Sequence, residues 1–386
     1  MPKLADKNRC TGCSACANIC PQKCIKMEKD EIGFEYPKVI EQSMCISCRA
    51  CERVCPVLSN KKNIEEMSAL GYAAYSKSDI IRMQSSSGGV FTELATVILQ
   101  SGGVIYGAGY DIDGVVRHFA VEDPQKLGEL RGAKYSQSVL GDCFKVLKKQ
   151  LDSGRNVLFS GTPCQVAGLK AYLRVDYRNL MCVDFVCHGI PSPKVWQEYL
   201  RYRAQTDNEG ELPIRIDLRN KESGWSRYSY SVNITYEGNK KYCCKNEQDM
   251  FMRLFVNDYI LRECCDNCHF KGYDRVSDIT LGDFWGIWDI APQMDDNKGT
   301  SLVLIHSGKG IELFETIRDR LEVQEVSLQE ASAQNPSLLA SSQHNKERQK
   351  ILRLALSGEF DEIDKYLNKR MYGNGVLRRL RRIFRL

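Results

Sequence analysis

Four cysteines within eleven residues, Cys10, Cys13, Cys16 and Cys20 of CTGCSACANICP, constrain this chain more than any other stretch. The pattern returns 35 residues later as Cys45, Cys48, Cys51 and Cys55 in CISCRACERVCP. Each run has the form C-x2-C-x2-C-x3-C-P, in which three thiolates hold one 4Fe–4S cluster and the fourth belongs to the other. The spacing therefore predicts one cluster on Cys10, Cys13, Cys16 and Cys55 and a second on Cys45, Cys48, Cys51 and Cys20. A pair of structural zinc sites is the competing reading, but zinc modules usually present two separated pairs of ligands rather than four thiols in one short run ending in Cys-Pro. Cys24 falls outside the repeat and is expected to be an ordinary buried thiol.

A chain of 386 residues has ample core for two or three domains. Its 18 cysteines follow no charged-then-apolar leader, so a reducing cytoplasm with metal-bound thiolates is expected rather than a disulfide framework. The longest apolar stretch, Val90 to Tyr110, is interrupted by Glu93, Gln100 and a glycine pair, which predicts a core helix followed by a strand and no membrane span. The formal charge of +5 counts every cysteine as neutral. A 4Fe–4S cluster with its thiolates carries roughly −2, so three of them bring the total to about −1 and remove the case for a nucleic-acid partner.

The fold class expected is α+β: a ferredoxin-like two-cluster module over residues 1–62, then a larger α/β domain in two parts, 63–150 and 151–330, and a helical tail over 331–386. Lys61 to Ser68 is polar and predicts a linker. Ser85, Ser86, Ser87, Gly88 and Gly89 precede an apolar helical run, so they sit at a helix start whose free amides favour a phosphate; serines that merely cap the helix would look the same. Lys134 occupies a glycine-bounded polar loop, where a lysine is ordinarily solvated. Asn156 to Ser160, the GTPC turn, Gln165 to Leu173 and Leu180 to Val186 spell strand, crossover helix and parallel strand. That unit brings Cys164 and Cys187 to the carboxyl edge of one sheet, where open sheets bind ligands. Cys265 and Cys268 add a C-x2-C pair, and the four thiols suffice for a third 4Fe–4S site or for zinc.

Tyr228, Tyr230, Val232, Ile234 and Tyr236 alternate with polar residues before a Gly238-Asn239 turn; one apolar face of a hairpin explains them better than a base-stacking platform. Ile279 to Leu281 predicts a buried strand ending at GDFWG. The chain closes on VLRRLRRIFRL, where Leu377, Leu380, Ile383 and Phe384 share one face and five arginines cover the rest. That is a basic amphipathic helix, suited either to an anionic membrane surface or to packing on the protein.

The cysteine runs, SSSGGVFTEL, LRGAKYSQS, LFSGTPCQVAGL, VDFVCHGIPSP and CDNCHFKGYDRVSDITLGDFWG, taken in that order, resemble the beta subunit family of coenzyme F420 hydrogenase/dehydrogenase. The resemblance spans about residues 5 to 320. It implies an FAD-containing iron–sulfur oxidoreductase, with ferredoxin or a similar protein as electron partner and F420 or another small molecule as substrate. It assigns Cys164, Cys187, Cys265 and Cys268 to the third cluster and Ser86, Ser87, Gly88, Gly89, Lys134 and Gln137 to the flavin. Within that frame Lys134 is expected to stabilise reduced flavin and His188 to donate a proton. The wording of DNCHFKG and GDFWG resembles a bacterial branch linked to cell-surface polysaccharide work. A non-catalytic electron-transfer subunit is the alternative, and Cys143, Cys182, Cys243, Cys244 and Cys264 receive no role.

Overall fold

The structure is a computed structural model that describes residues 2–59, 68–226 and 229–372. Most of the Lys61–Ser68 linker, Tyr228 of the tyrosine row and the basic C-terminal helix lie outside the described residues.

The front module is built twice on one plan. Helix α1 (Ala15–Ile19) begins inside the first cysteine run, and the chain turns through the antiparallel hairpin β1 (Ile25–Lys29) and β2 (Glu35–Val39). Helix α2 (Ala50–Arg53) then begins inside the second run. Ser14 and Arg49, which stand just before these helices, both adopt a left-handed backbone with φ of 59° and 53°. Non-glycine residues rarely take that conformation, so its recurrence at matching positions shows that the sequence duplication is also a backbone duplication.

The larger body centres on a mixed sheet of eight strands. In chain order it contains β3 (Leu70–Ser76), α3 (Asp79–Met83), α4 (Val90–Gln100), β4 (Val104–Tyr110), β5 (Val116–Val121), α5 (Cys143–Asp152), β6 (Val157–Ser160), α6 (Pro163–Leu173), β7 (Leu180–Phe185) and α7 (Pro193–Asp207). A side sheet follows, of β8 (Arg215–Asn220), β9 (Ser231–Thr235) and β10 (Lys241–Lys245), with α8 (Met250–Val256). The chain returns to the main sheet through β11 (Ile279–Asp283), α9 (Ile287–Ile290), β12 (Ser301–Ile305), α10 (Gly308–Ile317) and β13 (Leu321–Val326). The short α11 (Leu328–Ser332) and α12 (Pro336–Leu339) precede α13 (Arg348–Leu356) and α14 (Phe360–Tyr372). The strand order is β13-β3-β12-β11-β7-β6-β4-β5, and the central β11, β7, β6 and β4 are parallel.

Alternation along the central strands decides which helices cover which face. Val157 and Phe159 of β6, with Val104 and Tyr106 of β4, pack beneath α5 and α6; Leu158 and Ile105 face α4 and α10. Strands buried on both faces need apolar residues at every position, which is why β6 and β7 are short apolar runs. The predicted strand, crossover helix and parallel strand is β6, α6 and β7. The predicted hairpin is present but shorter, as β9 and β10 joined by Glu237–Asn239, with Tyr230, Val232, Ile234 and Tyr236 buried against Trp196, Tyr199 and Phe251.

Apolar packing crosses two of the boundaries drawn from sequence. Cys13, Ala15 and Val54 of the front module share one apolar cluster with α5 and α6, so the module is docked on the main body. Ile351 of α13 and Ile363 of α14 belong to the cluster that buries the side sheet, so these helices are core rather than tail.

Candidate functional site

The cysteines gather around three cavities. One is lined by Cys10, Cys13, Cys16 and Cys55, joined at its edge by Cys51. The next is lined by Cys20, Cys45, Cys48 and Cys51 and also by Cys24, whose Sγ lies 3.3 Å from that of Cys20. Cys24 is buried, as expected, but within a ligand cavity. The last is lined by Cys164, Cys187, Cys264, Cys265 and Cys268. Among the described residues, no three His, Cys, Asp or Glu side chains form a group that could hold a metal ion. Thiols spread around a cavity suit a multi-iron cluster better than tetrahedral zinc. Burial pushes the Cys13 and Cys187 thiols up to about 12, so deprotonation there is favoured only when a cation takes the proton's place.

The third set is assembled by local chemistry. Thr162 caps α6 by accepting from the Gln165 backbone N–H, and the Gln165 side chain accepts from the Thr162 N–H, a capping box that fixes T-P-C-Q. It places Cys164 in the first helical turn at the carboxyl edge of β6. Cys187 follows β7 on the neighbouring strand end. Segments 189–192 and 260–262 run together, with Ser192 N–H donating to Ile260 O and Arg262 N–H to Ile190 O at 2.8 Å each, and this brings the C-x2-C pair across. Ile190 N–H points at Cys265 Sγ at 3.4 Å, and Lys271 donates to Cys187 O. Cys265, held by the Cys264 thiol, is shifted down, whereas Cys264 is shifted up. Ser341 Oγ accepts from the Cys268 N–H at 2.9 Å, so the chain beyond residue 330 returns to the site.

The front module and this set touch. A methyl group at Gly168 would lie 2.8 Å from Cβ and Sγ of Cys13, so only glycine allows α6 to approach the first cavity so closely. Arg262, fully buried, donates to Cys10 O and Glu35 O at 2.9 Å and to Gln137 Oε1 at 3.0 Å. Arg9 and Thr11 line the third cavity, and Thr11 also lines the large cavity beyond it.

That large cavity, about 730 Å³, lies at the carboxyl ends of the parallel strands. Ser86, Ser87, Gly89, Lys134, Gln137 and His188 all line it, as do Cys164 and Cys187. Gly88 does not: its N–H donates to Ser301 Oγ at 2.9 Å, and a side chain there would strike Ala74 O. The serine loop is tethered from behind, where Lys221 Nζ donates to Ser87 O and Trp225 Nε1 to Ser86 O. Gly89, at φ 89°, leads into α4 with no side-chain cap, leaving the helix amides for another acceptor. Lys134 is not solvated as its loop suggested; burial pushes its pKa down to about 7. Gln137 spends its amide oxygen on Glu35 N–H and Arg262, so its first task is to join the front module to the body. His188 lies between the third thiol set and the cavity, with Nε2 2.6 Å from Asp258 Oδ1 and Nδ1 3.2 Å from Ser337 Oγ.

Two further wall residues belong to no sequence motif. Burial lowers His118 to about 4, so its ring is neutral, and Nε2 faces Ser160 O at 3.0 Å. A carbonyl only accepts, so Nε2 carries the hydrogen and Nδ1 is a bare acceptor, without a partner in the structure. Arg219, paired with Asp283 at 2.6 Å and stacked 3.9 Å from Tyr230, likewise has Nε without a partner. Buried wall atoms of this kind mark hydrogen-bonding capacity that a polar ligand would use.

Comparison with known proteins bears on this arrangement. Residues 9–58 match the model of a 4Fe–4S dicluster domain. Residues 154–330 match that of the C terminus of the coenzyme F420 hydrogenase/dehydrogenase beta subunit, so this part of the chain is similar to that family. No curated protein matches the chain. Among solved structures, the F420-reducing [NiFe] hydrogenase complex from Methanosarcina barkeri aligns at 17% identity and a TM-score of 0.47, over 78% of this chain and 92% of that one. The two family matches together pair a 4Fe–4S dicluster segment with a segment similar to an oxidoreductase subunit. None of its described helices is long and apolar enough to cross a membrane.

Proposed function

We propose that this protein is an iron–sulfur flavoprotein oxidoreductase that relays electrons from a redox protein, through three 4Fe–4S clusters and FAD, to a coenzyme or small-molecule substrate of the F420 type or a related kind, in the branch concerned with cell-surface polysaccharides. The observation that carries it is the sharing of Cys164, Cys187 and His188 between the third thiol cavity and the large cavity. A ligand in the large cavity therefore abuts whatever the four thiols hold.

Clusters pass single electrons, and a flavin gathers two for transfer as a pair. The chain's residues set the conditions for that chemistry. Cys164, Cys187, Cys265 and Cys268 would hold the third cluster, with Lys271 and Arg275 nearby to offset its negative charge. The uncapped amides of α4 and the Ser86–Gly89 turn would receive a pyrophosphate, and Lys134 would favour negative charge on the reduced ring. His118 Nδ1 offers an acceptor to a ligand N–H. His188, oriented by Asp258 and Ser337, is the candidate proton donor at the cavity wall.

Anaerobic reconstitution with iron, sulfide and FAD tests this. About twelve irons per chain and bound flavin are expected, against about eight irons if only the front module is loaded. Zinc in place of iron, or no retained flavin, would overturn the reading. A substrate screen that includes F420 then separates an enzyme from a relay subunit.

A further inference from the structure

We infer that Lys221 and Trp225, neither of which lines the large cavity, are positioning residues for the diphosphate of the flavin held there. The inference rests on the flavin reading above, and deepens it by naming what orients the amides that receive the diphosphate.

Both residues follow β8 in the side sheet, and both are buried. Lys221 Nζ donates to Arg82 O at 2.5 Å and to Ser87 O and Lys298 O at 2.7 Å, which uses all three N–H bonds of an ammonium group. Trp225 Nε1 gives its one hydrogen to Ser86 O at 2.8 Å. Gly88 O accepts from the Ser76 N–H at 2.7 Å. Three consecutive carbonyls of the serine turn are thereby held against the protein.

In a planar trans peptide, the carbonyl and the N–H of the next residue point in opposite directions. Fixing Ser86 O and Gly88 O therefore turns the N–H groups of Ser87 and Gly89 away from those donors. Neither amide has a partner among the described residues, and Ser87 and Gly89 both line the cavity. The Gly88 N–H between them is spent on Ser301 Oγ. Two free amides flanking a tethered one, the second on a glycine at φ 89°, make a concave anion site.

The tethers matter because this turn is easy to invert. The peptide between Ser87 and Gly88 precedes a residue without Cβ, so little steric cost opposes its rotation. Rotated, it would lose the Lys221 bond and aim Ser87 O the other way, and a carbonyl oxygen turned toward a diphosphate repels it. Lys221 opposes that rotation directly, and Trp225 does the same for the peptide between Ser86 and Ser87. Their effect on the ligand passes through the turn.

The test uses the full chain, with clusters loaded anaerobically, and FAD as the probe, in wild type, Lys221→Met and Trp225→Phe. The dissociation constant is measured by equilibrium ultrafiltration, beside iron content and the absorption spectrum and midpoint potential of flavin bound at saturation. FAD is expected to bind about tenfold or more weakly in Lys221→Met and about fivefold in Trp225→Phe, with iron, spectrum and potential unchanged, because neither residue touches the ring. Unchanged affinity in both variants would overturn the inference. Loss confined to Lys221→Met would also overturn it, by assigning the effect to charge rather than to the orientation of the turn. So would a loss accompanied by an altered spectrum and potential, which would mean a general collapse of the cavity wall. Should Lys221→Met fail to load iron, Trp225→Phe, which leaves the charge unchanged, decides alone. Failure of the flavin reading shows separately, as a wild type that retains no FAD, and the inference then falls with it.

Discussion

The outer front site and the site at the sheet edge use the same ligand chemistry in opposite settings. The loop carrying Cys45 and Cys48 runs along the surface, with residues 41–44 and 46–49 exposed. Cys164, Cys187, Cys265 and Cys268 come from three separate segments, and burial pushes Cys164 and Cys187 strongly upward. A local run of cysteines can wrap a cluster without help from the rest of the fold. A set assembled from distant segments exists only when the sheet, the α6 cap and the 260–268 segment are all in place. On the relay proposed above, the outer site would deliver electrons, and the inner site would belong to the cavity that uses them.

Removing one ligand from each sharpens that difference most. Cys187→Ser is expected to lower iron by about four per chain and to cut substrate turnover about a hundredfold or more with any reductant, because it opens the site next to the cavity. Cys48→Ser should lose a similar amount of iron yet keep turnover driven by a small chemical reductant. Iron assay and steady-state rates check both. Equal losses of turnover would mean that the two sites are not arranged as outside and inside.

Next in size is the joint between the two. Arg262→Leu leaves Cys10 O, Glu35 O and Gln137 Oε1 without their buried donor, which costs about 3 kcal/mol or more and lowers the melting temperature by about 4 °C or more. Gly168→Val acts at the same joint through volume. Overpacking against Cys13 costs about 1–3 kcal/mol, and forcing α6 away should weaken the magnetic interaction between the first and third clusters in the reduced protein's electron paramagnetic resonance spectrum. A Gly168→Val protein with unchanged stability and spectrum would show that the contact is not tight.

Much of this was legible in the sequence where the information is local. Cysteine spacing anticipated which front thiols line each cavity, and the strand-turn-helix-strand pattern around GTPC placed Cys164 near Cys187, because a capping box and a parallel crossover are short-range signals. What the sequence hid depends on distance. Nothing near Gln137 announces that its partners are Glu35 and Arg262, 102 and 125 residues away. Gly168 carried a faint signal, since a glycine inside a helix costs stability unless something approaches it. His118 and Arg219 gave none, as a single polar residue on a strand is ordinarily unremarkable. Residues near 341 looked like tail because their polarity reflects the cavity they line rather than solvent.

The smallest effect separates the cavity from the outer site by pH. Burial lowers Lys134 to about 7, against 10.5 for an ordinary lysine, with Asp217 pulling weakly the other way. Between pH 7 and 10.5 the unfolded chain holds a proton on this lysine that the folded chain does not, so stability gains a contribution that rises with pH across that window. Below pH 7 the lysine is charged in both states and the burial cost is fully present. In cluster-loaded, flavin-free protein, denaturant midpoints should therefore rise more steeply from about pH 7 to about 9.5 in the wild type than in Lys134→Met. FAD should remove the difference, because negative charge in the cavity raises the lysine toward its ordinary value. Equal pH slopes in the flavin-free proteins would mean that Lys134 is solvated and the cavity open at this end.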